Sequence, residues 1–177
     1  MKKSECRYNR RYILLALLCS IFMIVDAQVV TVNKMSAVKP GSKINLVIDF
    51  SKATIMGMNE TEFSNYEKDW KKDQPTIVGR FQKGVNNKLS DMLRVGSYPD
   101  SEYTMKVTVK TISDMGNVYC DVVIVDKNGT VIFSVNNVNG GSEPPILPGS
   151  KLARIKTWAY LTGRSLGNII KSEYLAQ

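Results

Sequence analysis

The sequence predicts an α+β domain: a two-layer sandwich with a mostly antiparallel sheet and its helices on one face. The predicted order is strand, helix pair, three-stranded meander, helix. Three observations carry this. Apolar residues alternate with polar ones over Lys43–Phe50 and again over Tyr103–Ser113, the period of a half-buried strand. Asn128-Gly129 sits between two apolar runs, the strongest short hairpin signal. Two long stretches, 75–94 and 151–173, repeat apolar residues at three and four positions, as one face of a helix does.

The first 27 residues read as a secretory signal peptide. Lys2, Lys3, Arg7, Arg10 and Arg11 precede an apolar-to-small run from Ile13 to Val25, and Val25-Asp26-Ala27 offers a cleavage site. Thirteen residues are too few for a span, which needs about 20. Cys19 follows Leu18 where a lipobox needs a small residue, and apolar sequence continues beyond it, so lipidation there is not expected. Residues 28–42 are expected to be a leading extended segment closed by the Pro40-Gly41 turn, and 43–177 a single domain.

In "KINLVIDF", Ile44, Leu46, Ile48 and Phe50 share one face. Asn59 followed by Glu62 has capping-box spacing, and Phe63, Tyr66 and Trp70 then share a helical face. Gln74-Pro75 is expected to end that helix and open the next, because Pro is tolerated in a first turn. The second helix should end near Arg94. Gly79 and Gly84 weaken it by about 1 kcal/mol each.

In "YTMKVTVKTIS" the residues Tyr103, Met105, Val107 and Val109 are dry, and Thr104, Lys106, Thr108 and Lys110 are wet. A two-residue turn at Asn128-Gly129 would pair Lys127 with Thr130, Ile124 with Phe133 and Val122 with Val135. Cys120 lies on that inward face and reads as a small buried hydrophobe. In the last helix, Ala159, Gly163 and Gly167 form a small-residue row, expected to let the helix approach the sheet closely.

Composition removes many functions. Histidine is absent, which excludes imidazole bases, Ser-His and Cys-His pairs and nearly all zinc sites. No cofactor and no metal are expected. The chain carries +8; the leader holds five cations against Glu5 and Asp26, which leaves the remainder at +5. Those charges look dispersed along the chain, as on a solvated surface, and nucleic acid is not an expected partner. After the leader Cys120 is the remaining cysteine, so no internal disulfide forms.

The run "NVNGGSEPPILPGSKLARIK" places Gly140 and Gly141 before a helix, with Lys151 and Arg154 near its start. An anion cradle needs several free N–H groups at a helix N-terminus. Pro144, Pro145 and Pro148 have none, and the helix starts eight or more residues later. The expected reading is a stiff crossover with Ser150 as N-cap, and anion binding by Gly140, Gly141, Lys151 and Arg154 is the minor alternative. The same tail, "VDKNGTVIFSVNNVNGG" followed by "PGSKLARIKTWAYLTGRSLGNII", resembles small exported domains of Gram-negative cell envelopes whose function is mostly unassigned. The resemblance covers about the last third of the chain. It implies an envelope location and an accessory role, and carries over no catalytic residue.

Three functions follow as expectations. The first is a non-enzymatic accessory or binding module, periplasmic or secreted, that meets a protein partner or another copy of itself. Its surface would be Val123, Val125 and Ile132, rimmed by Tyr119, Asp121, Lys106 and Lys110. Val125 is expected to oppose Ile132, unless "QVVTV" folds over the patch. The second is a carboxylate-based hydrolase of an envelope or extracellular glycan, using Asp49 and Asp121. The third is a small-molecule carrier with Met56, Met58 and Trp70 lining a pocket between helices and sheet.

Overall fold

The computed structural model describes residues 28–89, 92–143 and 148–176; the predicted signal peptide lies outside them. The strands are β1 (Val29–Asn33), β2 (Ser42–Asp49), β3 (Thr54–Ile55), β4 (Met58–Asn59), β5 (Leu93–Gly96), β6 (Tyr103–Ile112), β7 (Val118–Asp126) and β8 (Val131–Val138). The helices are α1 (Glu60–Tyr66), α2 (Trp70–Leu89) and α3 (Lys151–Leu175), and a 3-10 turn covers Met35–Ala37.

The chain is α+β, but the sheet is mixed. Its order is β1-β8-β7-β6-β2-β5, with β3 also on β6 and β4 on β3. The meander β6-β7-β8 and the edge strand β1 are antiparallel. β2 is parallel to both β5 and β6. The expectation of a mostly antiparallel sheet fails because the helices of residues 60–89 form a crossover between β2 and β6, which pair in parallel, and because 93–96, where the second helix is expected to end, forms the parallel edge strand β5. Leu93 and Val95 are fully buried, and four residues of that kind satisfy either period. The leading segment is extended at Val29–Asn33, and the alternative that it covers the outer face does not hold. It pairs with β8 as an edge strand instead.

Local chemistry explains the element ends. Asn59 and Glu62 form the expected capping box at 2.9 Å each way. The helix break falls at Glu67–Asp69, where Glu67 takes an extended conformation. Pro75 lies inside α2 rather than at its start. Trp70 therefore opens α2, and its ring meets Phe63 and Phe50 edge-on at 5.2 and 5.5 Å. Tyr66 is exposed.

The hairpin is corrected in an instructive way. Lys127, Asn128 and Gly129 form a three-residue loop: Gly129 N–H donates to the Asp126 carbonyl and Asp126 N–H to that of Thr130, both at 3.0 Å. Gly129 has positive φ and Asn128 does not, so the two-residue turn that needs both is excluded. Asp126 decides this, because its Oδ1 accepts from Asn128 and Thr130 N–H at 2.9 and 2.8 Å. The extra residue shifts the register, so Val125 faces Val131, not Ile132. A bulge at Ile132 shifts it back, and Ile124↔Phe133 and Val122↔Val135 hold as expected. The turn with two positive φ values occurs instead at Met56-Gly57, between β3 and β4.

One face of the sheet is dry. Ile44, Met105, Val107, Val109, Val122, Ile124, Phe133 and Val135 join Ile77, Phe81 and Val85 of α2 and Ile155, Ala159 and Leu166 of α3 in one core. Thr162 of α3 ties to the sheet through its hydroxyl, which donates to the Val118 carbonyl at 3.1 Å. The glycine row of α3 faces α2, not the sheet. A Cβ on Gly163 would stand 2.2 Å from the Phe81 carbonyl oxygen, and one on Gly84 2.2 Å from that of Tyr160. The neighbours rise together along both helices (Gly84 beside Tyr160, Gly167 beside Val85 and Lys88), so the two helices run parallel.

Candidate functional site

Among the described residues, the wet face of the sheet carries exposed and half-buried side chains. Along β6, Lys106, Thr108 and Lys110 are exposed. β7 contributes half-buried Tyr119, Asp121, Val123 and Val125. β2 adds Val47, 47% exposed, and β8 adds Val131 at 36%. Pairing puts Val47, Lys106, Val123 and Ser134 in one cross-strand row. The next row holds Asp49, Thr108 and Asp121. Ile132, expected in this patch, is 6% exposed and belongs to the core. The bulge turns it inward beside Phe133.

Asp49 and Asp121 do lie on one row, but as structural groups. Lys110 Nζ pairs with Asp121 Oδ2 at 2.9 Å and donates to Asn137 Oδ1 at 3.2 Å. Asp121 Oδ1 accepts from Asn137 N–H at 3.0 Å, holding Asn137 at its positive φ. Asp49 Oδ1 accepts from Ser51 N–H at 2.8 Å. That bond holds its carboxyl below the ordinary value. A general acid in glycoside cleavage needs a raised pKa, which Asp49 lacks.

The Gly-Gly exit is spoken for. Gly140 N–H donates to Asn117 Oδ1 at 3.1 Å and Gly141 N–H to Asn139 Oδ1 at 2.9 Å. Asn117 is fully buried and also donates to the Gly141 carbonyl. Gly140 is glycine because Trp158 lies on it: a Cβ there would come 2.5 Å from the ring. Lys151 stands over the Tyr66 ring, 3.9 Å from its centre. Arg154 donates to the Asp114 carbonyl at 3.1 Å and, at 3.5 Å, to that of Gly149. The four residues of the anion alternative thus do not converge. Ser150 is the N-cap, accepting from Ala153 N–H at 3.2 Å.

Cys120 is buried, and burial pushes its thiol up to about 12. The thiolate is the nucleophile, so this one is inert. Between helices and sheet, a cavity of about 10 Å³ is lined by Ile48, Phe50, Ile77, Phe81, Val107, Val109, Val118 and Ala159. That is at or below the room one water needs. Met56 and Met58 pack on the core, and Trp70 is fully buried with its Nε1–H on Glu60. Among the described residues no cluster of three or more Cys, Asp or Glu could hold a metal, and no helix is long and apolar enough to cross a membrane.

Sequence reading missed the gathering of cations. Residues 75–89 hold Arg80, Lys83 and Lys88 and no acid; residues 151–172 hold Lys151, Arg154, Lys156, Arg164 and Lys171 and no acid. The fold lays these stretches side by side in α2 and α3. Charges that look dispersed along the chain are therefore clustered in space.

No family model matches the sequence, and no curated protein does. Among solved structures, the chain is similar to the PelC dodecamer from Paraburkholderia phytofirmans, at 12% identity and a TM-score of 0.43, over 80% of this chain and 96% of that one. A single-substitution variant of the same dodecamer gives 13%, 0.42, 80% and 96%.

Proposed function

We propose that this chain is an exported, non-enzymatic accessory or binding module of the cell envelope, periplasmic or secreted, whose protein partner docks on the outer face of the sheet. One observation carries the reading. Among the described residues the helices sit over one face only, in a two-layer arrangement, and the other face presents Val47, Val123, Val125 and Val131 among Lys106, Thr104, Thr108 and the Lys110–Asp121 pair. An apolar centre with a polar rim is the anatomy of an interaction site. The carboxylates of that face are used in turns and ladders, which favours binding over hydrolysis.

The test has two parts. A photo-crosslinking residue at Val47 or Val123 of the exported protein should give a discrete protein adduct, and one at Lys72 on α2 should not. Val125→Lys should leave the melting temperature nearly unchanged and remove the adduct. Equal crosslinking from both faces, or none, overturns the reading. So does strong destabilisation by Val125→Lys, which would mean the face is internal. An adduct of twice the chain mass would name a second copy as the partner. Export is checked by intact mass: the mature chain should begin at Gln28, and an uncut chain or one lipidated at Cys19 would refute it.

A further inference from the structure

On the opposite side of the molecule, the acid-free stretches of α2 and α3 carry eight cations. The chain beyond residue 27 is +5, so everything outside these two stretches sums to −3. The helix layer is thus a strongly positive slab on an otherwise slightly acidic domain. Four of these cations, Arg80, Lys88, Lys156 and Arg164, flank a seam. The row Arg80, Gly84, Lys88 of α2 runs beside Lys156, Tyr160 and Arg164 of α3, because glycines at 84, 163 and 167 bring the backbones into contact. Arg80, Lys156, Tyr160, Thr157 and Ala153 line a surface groove of about 330 Å³ there. Each row is about 12 Å long, eight residues of 1.5 Å rise. Asp73 neutralises Lys156 at one end of the seam at 2.6 Å. Among the described residues, no ion pair forms to Arg80, Lys83, Lys88, Arg164 or Lys171.

We propose that this seam is a docking groove for an extended carboxylate polymer, an acidic polysaccharide. Arg80 and Lys156 face each other across the groove, and Lys88 and Arg164 continue the two rows beyond it, so a chain with charges at intervals can meet them in succession. A lipid surface fits less well: besides its two cations the groove is lined by Ala153, Thr157 and Tyr160, with no large aliphatic side chain to enter a bilayer. A nucleic acid fits less well too, because base stacking needs free ring faces and the guanidinium of Arg164 lies over Tyr160, 5.9 Å from its centre. The groove faces away from the sheet surface proposed above for a protein partner, and the two fail independently.

The experiment uses the exported chain and oligogalacturonate, with dextran of equal length and phosphatidylglycerol vesicles as comparison arms. Binding to oligogalacturonate should weaken steeply between 50 and 200 mM salt, as counterion release requires. Arg80→Gln/Lys83→Gln/Lys88→Gln should weaken it at least tenfold, with circular dichroism melting within a degree or two of the parent. A charge-matched control, Lys39→Gln/Lys43→Gln/Lys106→Gln, should weaken it less than threefold. Equal losses in the two variants would show a response to net charge alone and overturn the groove. Equal binding of dextran, or vesicle binding tighter than oligogalacturonate binding, would overturn the polymer assignment.

Discussion

Gly84→Ala should destabilise this protein, and Gly79→Ala, five residues earlier in the same helix, should stabilise it. Both exchanges bring the same intrinsic gain, about 1 kcal/mol, because alanine loses less backbone entropy in a helix interior. At Gly79 nothing lies within 4 Å of the added Cβ, so the gain stands alone. At Gly84 the Cβ would meet the Tyr160 carbonyl oxygen at 2.2 Å and the Arg164 nitrogen at 2.9 Å. Both are backbone atoms of α3, so no rotamer change can relieve the overlap. The helices must move apart by roughly 1 Å, and overpacking of this kind costs about 1–3 kcal/mol. With rigid neighbours the upper part of that range applies, for a net loss of about 2 kcal/mol after the propensity gain. At roughly 3 °C per kcal/mol for a chain of this size, Gly84→Ala should melt about 6 °C below the parent and Gly79→Ala about 3 °C above it. Thermal unfolding by circular dichroism measures both. If Gly84→Ala melts at or above Gly79→Ala, the helices do not cross at Gly84, and the basic seam loses its geometry.

The remaining predictions concern single groups. Cys120 should react slowly with a thiol reagent in the native protein at pH 8 and quickly in denaturant; fast native labelling would contradict its burial. Its folded pKa of about 12 lies above the ordinary 9.0, so its neutral form is the one stabilised. That contribution is complete below about pH 9 and lost as pH rises toward 12, so Cys120→Ala should flatten the alkaline limb of a stability-versus-pH curve. Asp126 is held below the ordinary 3.8 by the Thr130 and Asn128 N–H groups. Its contribution is present above that value and lost on acidification, so Asp126→Asn should be relatively less harmful at pH 2.5 than at pH 7; equal effects would remove Asp126 from control of the hairpin. Ser150→Ala should cost about 1 kcal/mol by leaving Ala153 N–H uncapped, whereas Ser150→Asp should be near neutral.

What was legible in the sequence was whatever one side chain or one short period decides. The capping box at Asn59 and the N-cap at Ser150 are local, and they appear where the residues predict them. So do the dry faces of β2, β6 and β7, because alternation survives any strand order. The hairpin was legible in place and illegible in type: Asn128-Gly129 favours a two-residue turn, but the Asp126 carboxylate accepts two N–H groups and draws the chain into a longer one. Strand β5 was hidden because Leu93 and Val95 extend the helical period of α2. These residues leave the helix to pair with β2, and the Asn86 side chain donates to the Val95 carbonyl and accepts from its N–H at 2.8 and 2.9 Å on the other side. That contact also covers the edge, as sheets with exposed ends require.

The basic layer was illegible for a different reason. Charge patterning along a chain is judged in windows, and no single window here contains the cations of both helices. Arg80, Lys83 and Lys88 are separated from Lys151 by more than sixty residues containing most of the sheet. Nothing in either stretch alone demands a partner of like charge. The like charges come together because the glycines at 84, 163 and 167 let the two helix backbones pack in contact, and the core residues beneath them stabilise that contact. Packing of cation beside cation is unfavourable by itself, so the helix pair forms despite its charge. If that repulsion is real, the parent should gain stability as salt rises from 20 to 300 mM, and Arg80→Gln/Lys83→Gln/Lys88→Gln should gain less. A melting temperature independent of salt in both proteins would mean the cations lie farther apart than the seam places them, and the polymer groove would lose its electrostatic basis.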